Sequence, residues 1–226
     1  SLPPYSLPAD IVDEVKRQIP LLEAFVRKHD LVSQDATRPL EVRLTPVYMR
    51  GFSIASINAP GPYDPTAKTY YNVSPLDDYT PEQAESFLRE YNHWQLQILN
   101  IHEAVPGHYV QLLHANKSPG RIKTLFGNGA MVEGWAVYGE GMMADAGYLE
   151  GDPLFKLTVL KMRLRSIANS LLDIGIQTEG MSREQAMELM THGAFQQERE
   201  ASGKWVRASL GSTQLLSYFT GYSESM

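Results

Sequence analysis

Pro106 and Gly107, placed directly before His108, constrain the path of this chain more than any other pair of residues. The sequence ahead of them reads as a helix. Thr80-Pro81-Glu82-Gln83 supplies a capping Thr, a Pro at the first helical position and a capping-box Gln, and apolar spacing continues through Phe87, Tyr91, Trp94 and Leu99 to His102. That helix cannot pass unbroken through Pro106, which has no N–H to donate and whose ring clashes with the carbonyl four residues earlier, that of His102. Gly107 permits the backbone turn that follows. On a regular helix the six residues from His102 to His108 turn through about 600°, leaving the two imidazoles roughly 120° apart. A break at Pro106-Gly107 is therefore what would bring His108 back beside His102.

With that break, Ile101-His102-Glu103-Ala104-Val105-Pro106-Gly107-His108 has the makings of a metal motif. A hydrolytic zinc needs nitrogen or carboxylate ligands, an open position for water and a nearby base. The usual pattern sets two His one turn apart with Glu directly after the first. The competing reading has His108 capping a broken helix end. A second helix, about Ala130 to Ala146, favours the metal. Glu133 and Glu140 are seven residues apart, nearly two whole turns, and share one face. Met131, Trp135, Val137 and Met142 around them fit poorly with a solvated acidic face. One of the pair suits a third ligand and the other a supporting partner. They lie about 10.5 Å apart along the axis, too far for both to reach one ion readily, and direction alone does not separate them.

The chain has no cysteine, so a tightly held transition metal must use His, Asp or Glu. That composition leans toward a periplasmic or secreted location without fixing it. The net charge of −6 argues against a nucleic-acid surface. No apolar run approaches the roughly 18 residues of a membrane span. With 226 residues, 43% hydrophobic, the expectation is one catalytic domain over 1–226, mainly α with a small β-sheet. Within it, 1–8 is a proline-rich extended arm and 9–39 a helical lead-in, with Pro20 a kink or break inside it. Residues 40–75 form the sheet, from strands at Glu41–Tyr48, Phe52–Ile57 and Thr69–Val73. Residues 80–226 form the helical metal-site region. There a glycine-rich loop spans Gly120–Gly129, a long helix runs from Asp152-Pro153 to Gln177, and Ser182-Arg183-Glu184-Gln185 caps a helix to Met190. Further helices cover about Phe195–Leu210 and Ser212–Phe219.

His102-Glu103-Ala104-Val105-Pro106-Gly107-His108, followed by Glu133-Gly134-Trp135-Ala136-Val137-Tyr138-Gly139-Glu140, resembles the bacterial family called domain of unknown function 885. Asp173-Ile174-Gly175-Ile176 matches that family's Asp-x-Gly element, and Gln214, Tyr218 and Gly221 match its C-terminal element. The resemblance spans roughly Tyr70 to Tyr222. It implies a zincin-like fold akin to carboxypeptidase Taq, thimet oligopeptidase and angiotensin-converting enzyme, with one Zn2+ held by His102, His108 and Glu133. It makes Glu103 the base and Tyr218 a transition-state donor, and it favours Glu133 over Glu140 as the ligand. Two departures stand out. The family usually has His where this chain has Gln177, which accepts and donates hydrogen bonds but cannot become a cation. Full-length relatives also carry a helical N-terminal half; the chain begins at Ser1, so a missing region or a partner fragment is expected.

The expected chemistry is zinc-dependent hydrolysis of a peptide bond, with Glu103 taking the water proton and passing it to the leaving amine. The alternatives are a metal-dependent hydrolase of a non-peptide amide or ester, or a non-catalytic zinc domain, which would have no use for Glu103. Tyr218 is an oxyanion donor or a core tyrosine beside Phe219. The strands at Phe52–Ile57 and Thr69–Val73 either accept an extended peptide substrate at a sheet edge or are ordinary core. Arg165, Asn169, Asp173 and Gln177 share one helix face, as a polar network lining the cleft or as a solvated stripe. Arg207 and Lys204 are candidates for holding a substrate carboxylate.

Overall fold

A computed structural model describes residues 11–35, 37–50, 54–64, 66–77 and 79–226. The expected arm at 1–8 and the start of the strand at Phe52 lie outside them. The first part of the chain runs α1 (Ile11–Lys28), β1 (Leu40–Leu44), β2 (Ala55–Asn58) and β3 (Thr69–Val73). Then come α2 (Pro81–Glu90), α3 (His93–Glu103), α4 (His108–Ala115), α5 (Arg121–Leu125) and α6 (Gly129–Asp145). The last part is α7 (Pro153–Thr178), α8 (Arg183–Glu188), α9 (Glu198–Leu210) and α10 (Leu216–Ser225). The described chain is mainly helical with one small sheet, as expected.

Short polar side chains decide where the helices begin. Thr80, Asn92, Asn128, Asp152 and Ser182 each accept a backbone N–H from the first turn of the helix that follows. Both expected capping boxes, Thr80 with Gln83 and Ser182 with Gln185, form. Asn92 corrects the expectation of one helix from Thr80 to His102: its side chain caps a new helix, so α2 and α3 are separate. Pro20 neither ends nor divides α1, which runs through it and buries Val15, Ile19, Leu22 and Val26.

The sheet has the order β1-β3-β2, with β1 parallel and β2 antiparallel to the central β3. Its first strand is shorter than expected. Pro46 has no N–H for the ladder, and Val47–Met49 form a 3-10 turn instead. The glycine-rich loop contains the short α5. The helix from Ser182 gives way to a π turn at Leu189–Gly193. The expected helix from Phe195 starts at Glu198, because Phe195 sits in the left-handed region at φ 54°. The last helix starts at Leu216 rather than Ser212. The main core packs α1, the sheet, α3, α4 and parts of α6 and α7 around Tyr71, Leu96, Ile98, Ile101 and Met143. A smaller cluster of Leu172, Ala186, Met190 and Ala201 joins α7, α8 and α9.

Candidate metal centre

The break at Pro106-Gly107 forms as the sequence requires. α3 stops at Glu103, the Val105–Pro106 peptide is cis, and α4 starts at His108. Gly107 packs into the turn so closely that a Cβ there would lie 1.8 Å from the carbonyl oxygen of His102. Trp135 on α6 donates to the carbonyl of Pro106 at 2.9 Å, and Gln111 on α4 donates to that of Met131. Neither bond was read from the sequence, although Trp135 stands in the Glu133 motif.

His102 and His108 meet edge to face, with ring centroids 4.8 Å apart. The Nε2 atoms of the two rings lie 3.4 and 3.5 Å from one oxygen, Oε2 of Glu133. That oxygen is buried and has no hydrogen-bond partner. Burial opposes charge on Glu133, but the two imidazoles outweigh it and hold its pKa down at about 2. The other face of His102 is fixed by Glu140, whose Oε1 lies 2.8 Å from Nδ1 and whose side chain is 3% exposed. A carboxylate there holds the proton on Nδ1 and turns Nε2, the nitrogen a metal would take, toward Glu133 and His108. The pKa of His102 rises well above its usual value: burial alone would depress it, and Glu133 and Glu140 overcome that. Glu103 lies beside the cluster, with one carboxylate oxygen, a His102 nitrogen and a His108 nitrogen all within 4.8 Å of one another. Burial pushes its pKa up, against the pull of the two histidines.

These donors suit a zinc ion. With metal–ligand bonds near 2.1 Å, a tetrahedral site spaces its ligand atoms about 3.4 Å apart. The nitrogen-to-oxygen distances around Glu133 match that spacing, and its unpartnered buried oxygen gives a cation something to satisfy.

α10 closes the other side. Gly134 on α6 and Gly221 on α10 meet backbone to backbone: a Cβ on Gly221 would fall 1.7 Å from the carbonyl oxygen of Ala130. That approach places the Tyr218 ring 6.3 Å from His102. Gln214 donates to the Tyr218 hydroxyl at 3.1 Å and approaches Glu133 Oε1 at 3.5 Å. Burial and the Glu133 charge raise the pKa of Tyr218, keeping it a proton donor.

The remaining expected residues lie elsewhere. Asp173 accepts from the backbone N–H groups of Thr213 and Leu216, so it anchors the entry to α10 rather than touching the cluster. Gln177 donates to the carbonyls of Ala208 and Gly211, tying the end of α7 to the end of α9. Arg207 is exposed on α9. Lys204 is buried and donates to Asn169, while Arg165 is buried between Glu90 and Glu200. Arg165, Asn169 and Asp173 are thus buried and bonded to different partners, and the face they share is not a solvated stripe.

Among functionally curated proteins none matches the chain. The solved structures similar to the chain include two that are described as lipoproteins. A lipoprotein of unknown function from Shewanella oneidensis is 54% identical, with a TM-score of 0.87 over 98% of this chain. A lipoprotein from Colwellia psychrerythraea is 22% identical, with a TM-score of 0.81 over 96% of this chain, a likeness of fold. The chain spans 39% of the first and 35% of the second. The model of the family described as bacterial protein of unknown function 885 matches residues 4–226, and the chain belongs to that family.

Proposed function

We propose that this chain is the catalytic core of a zinc-dependent peptidase of the zincin-like kind, with His102, His108 and Glu133 holding the metal. One observation carries the reading: two imidazole nitrogens and a buried, unpartnered carboxylate oxygen converge at the spacing of zinc ligands. A zinc ion bound there would lower the pKa of a water molecule and polarise a carbonyl.

The chain's own residues supply the rest. Glu103 stands on the two-histidine side of the cluster, placed to take a proton from attacking water and return it to a leaving amine. Its raised pKa suits both halves of that cycle. Tyr218, oriented by Gln214, presents a neutral hydroxyl toward the site, where it donates to the oxygen that becomes negative in the transition state. Glu140 holds His102 in one tautomer. A groove of about 700 Å3 runs past Glu133, and the rest of its lining, Ala130, Val132, Ser217 and Thr220 included, offers uncharged surface to a substrate chain. The relatives described as lipoproteins favour a location outside the cytoplasm for this chain as well.

Metal analysis of the purified protein, followed by mass spectrometry of a digested peptide library, tests the proposal. One equivalent of zinc, with peptide cleavage lost in Glu103→Gln, is the expected result. Zinc without cleavage of any peptide would favour an amide or ester hydrolase or a structural site instead. Loss of zinc from Glu103→Gln but not from Glu133→Ala would make Glu103 the third ligand and remove it as the base.

A further inference from the structure

α7 is apolar on two opposite faces. Its inner face buries Phe155, Val159 and Leu172. At 100° per residue, Leu157, Leu160, Leu164, Ile167, Leu171 and Ile174 fall on the opposite face within an arc of about 100°. Leu157 and Leu160 are each 61% exposed, Leu171 49% and Ile174 41%, and Leu164 and Ile167 are half-buried. The stripe runs about 26 Å, seventeen steps of 1.5 Å from Leu157 to Ile174. A helix that is apolar on both faces is one that is buried on both, and an apolar stripe of this length, exposed at both ends and half-buried between them, marks a docking surface.

The comparisons indicate what covers it. The Shewanella oneidensis lipoprotein keeps this fold at 54% identity, yet the matched part is only 39% of its polypeptide. The Colwellia psychrerythraea chain shows a similar proportion, 35%. In both, this fold is embedded in a much longer chain, and a face left apolar here is what a boundary with the remainder of that chain looks like. We propose that the outer face of α7 is the seat for the part of the family's polypeptide that lies outside the matched region, through an apolar face of comparable length. The proposal is independent of the metal centre.

The absence of cysteine allows a direct test. Single thiols are introduced as Leu160→Cys and Leu171→Cys in the 226-residue chain, and at the aligned positions of the full-length Shewanella oneidensis relative with any cysteine of its own replaced by serine. Maleimide labelling rates are then measured for each, normalised to the rate in urea. The thiols of the 226-residue chain should react quickly, and those of the longer protein at least ~10-fold more slowly, as expected of sites exposed only by local opening. Equal rates in the two proteins would overturn the proposal. So would slow labelling in the 226-residue chain together with a dimer in sedimentation equilibrium, which would seat a second copy on the stripe. A second measurement does not depend on thiols. Leu160→Glu with Leu171→Glu should leave the melting temperature of the 226-residue chain unchanged and lower that of the longer protein. An unchanged melting temperature in both would also overturn it.

Discussion

At the scale of single residues, Glu133 and Glu140 share one face of α6 and do different work. Glu133 meets both imidazoles through one oxygen, whereas Glu140 meets only the far nitrogen of His102. Glu133→Ala should therefore abolish tight zinc binding, as should His102→Ala and His108→Ala. Glu140→Ala should weaken it about 10–100-fold, the usual effect of losing the group that orients a ligand histidine. Zinc titration against a competing chelator ranks them, and the reverse order for the two glutamates would refute the assignment. Tyr218→Phe keeps the ring against His102 but loses the hydroxyl that Gln214 orients. On the proposed function it should lower kcat about 100-fold or more with little change in KM, because the bond forms mainly in the transition state. Steady-state kinetics decides, and a pure KM effect would make Tyr218 a substrate-binding residue.

Among elements, the contact of α6 with α10 holds Tyr218 against the site, and the clasp of α7 on α9 lies away from it. Gly221→Ala would drive a methyl group into the carbonyl of Ala130, so α10 must move away from α6. The cost should reach about 3 kcal/mol, the upper end for overpacking, read as a lower urea midpoint. Tyr218 should be displaced with it. Arg165 on α7 bridges Glu90 of α2 and Glu200 of α9, at 3.1 and 2.5 Å. Burial pushes the Glu200 pKa up, but Arg165, Lys204 and Arg207 pull it further down, to below 4.5. The sign follows from that: a carboxylate more acidic in the folded than in the unfolded chain stabilises the fold fully above about pH 4.5, and the contribution is lost as pH falls through the folded value. Glu200→Gln should cost about 1–2 kcal/mol at pH 7, since Glu200 is partly exposed, and less as pH falls through the lowered folded pKa. Urea unfolding at pH 7 and pH 3.5 measures both.

For the whole molecule, the proposed ligands come from α3, α4 and α6, so a bound metal would tie together separate elements of the chain. Zinc at about a thousandfold above its Kd should stabilise the protein by about 4 kcal/mol, and a chelator should reverse the gain. Calorimetry with and without chelator tests this; a melting temperature indifferent to zinc would mean that the donors do not form a site. The described helices alone cannot cross a membrane.

Much of this was legible in the sequence because it depends on local chemistry. Helix starts at Thr80, Asp152 and Ser182 follow from side chains that reach their own first turn. The break before His108 follows from a proline ring and the carbonyl four residues back, and the common face of Glu133 and Glu140 from the helical repeat. Other features were decided only by tertiary structure. Pro20 stays within α1 because that helix's apolar side packs into the core, and packing outweighs a local preference. Asp173 and Gln177 lie on a helix face that suggested a cleft, yet they bond backbone groups some 31–43 residues away, partners that no spacing rule reveals. Gly134 and Gly221 show the same limit. Each looks like an ordinary helical glycine, and only the crossing of α6 and α10 gives both a reason, since two backbones that close leave no room for a Cβ. Local sequence thus fixed which groups could bind a metal, while long-range packing decided which of them meet.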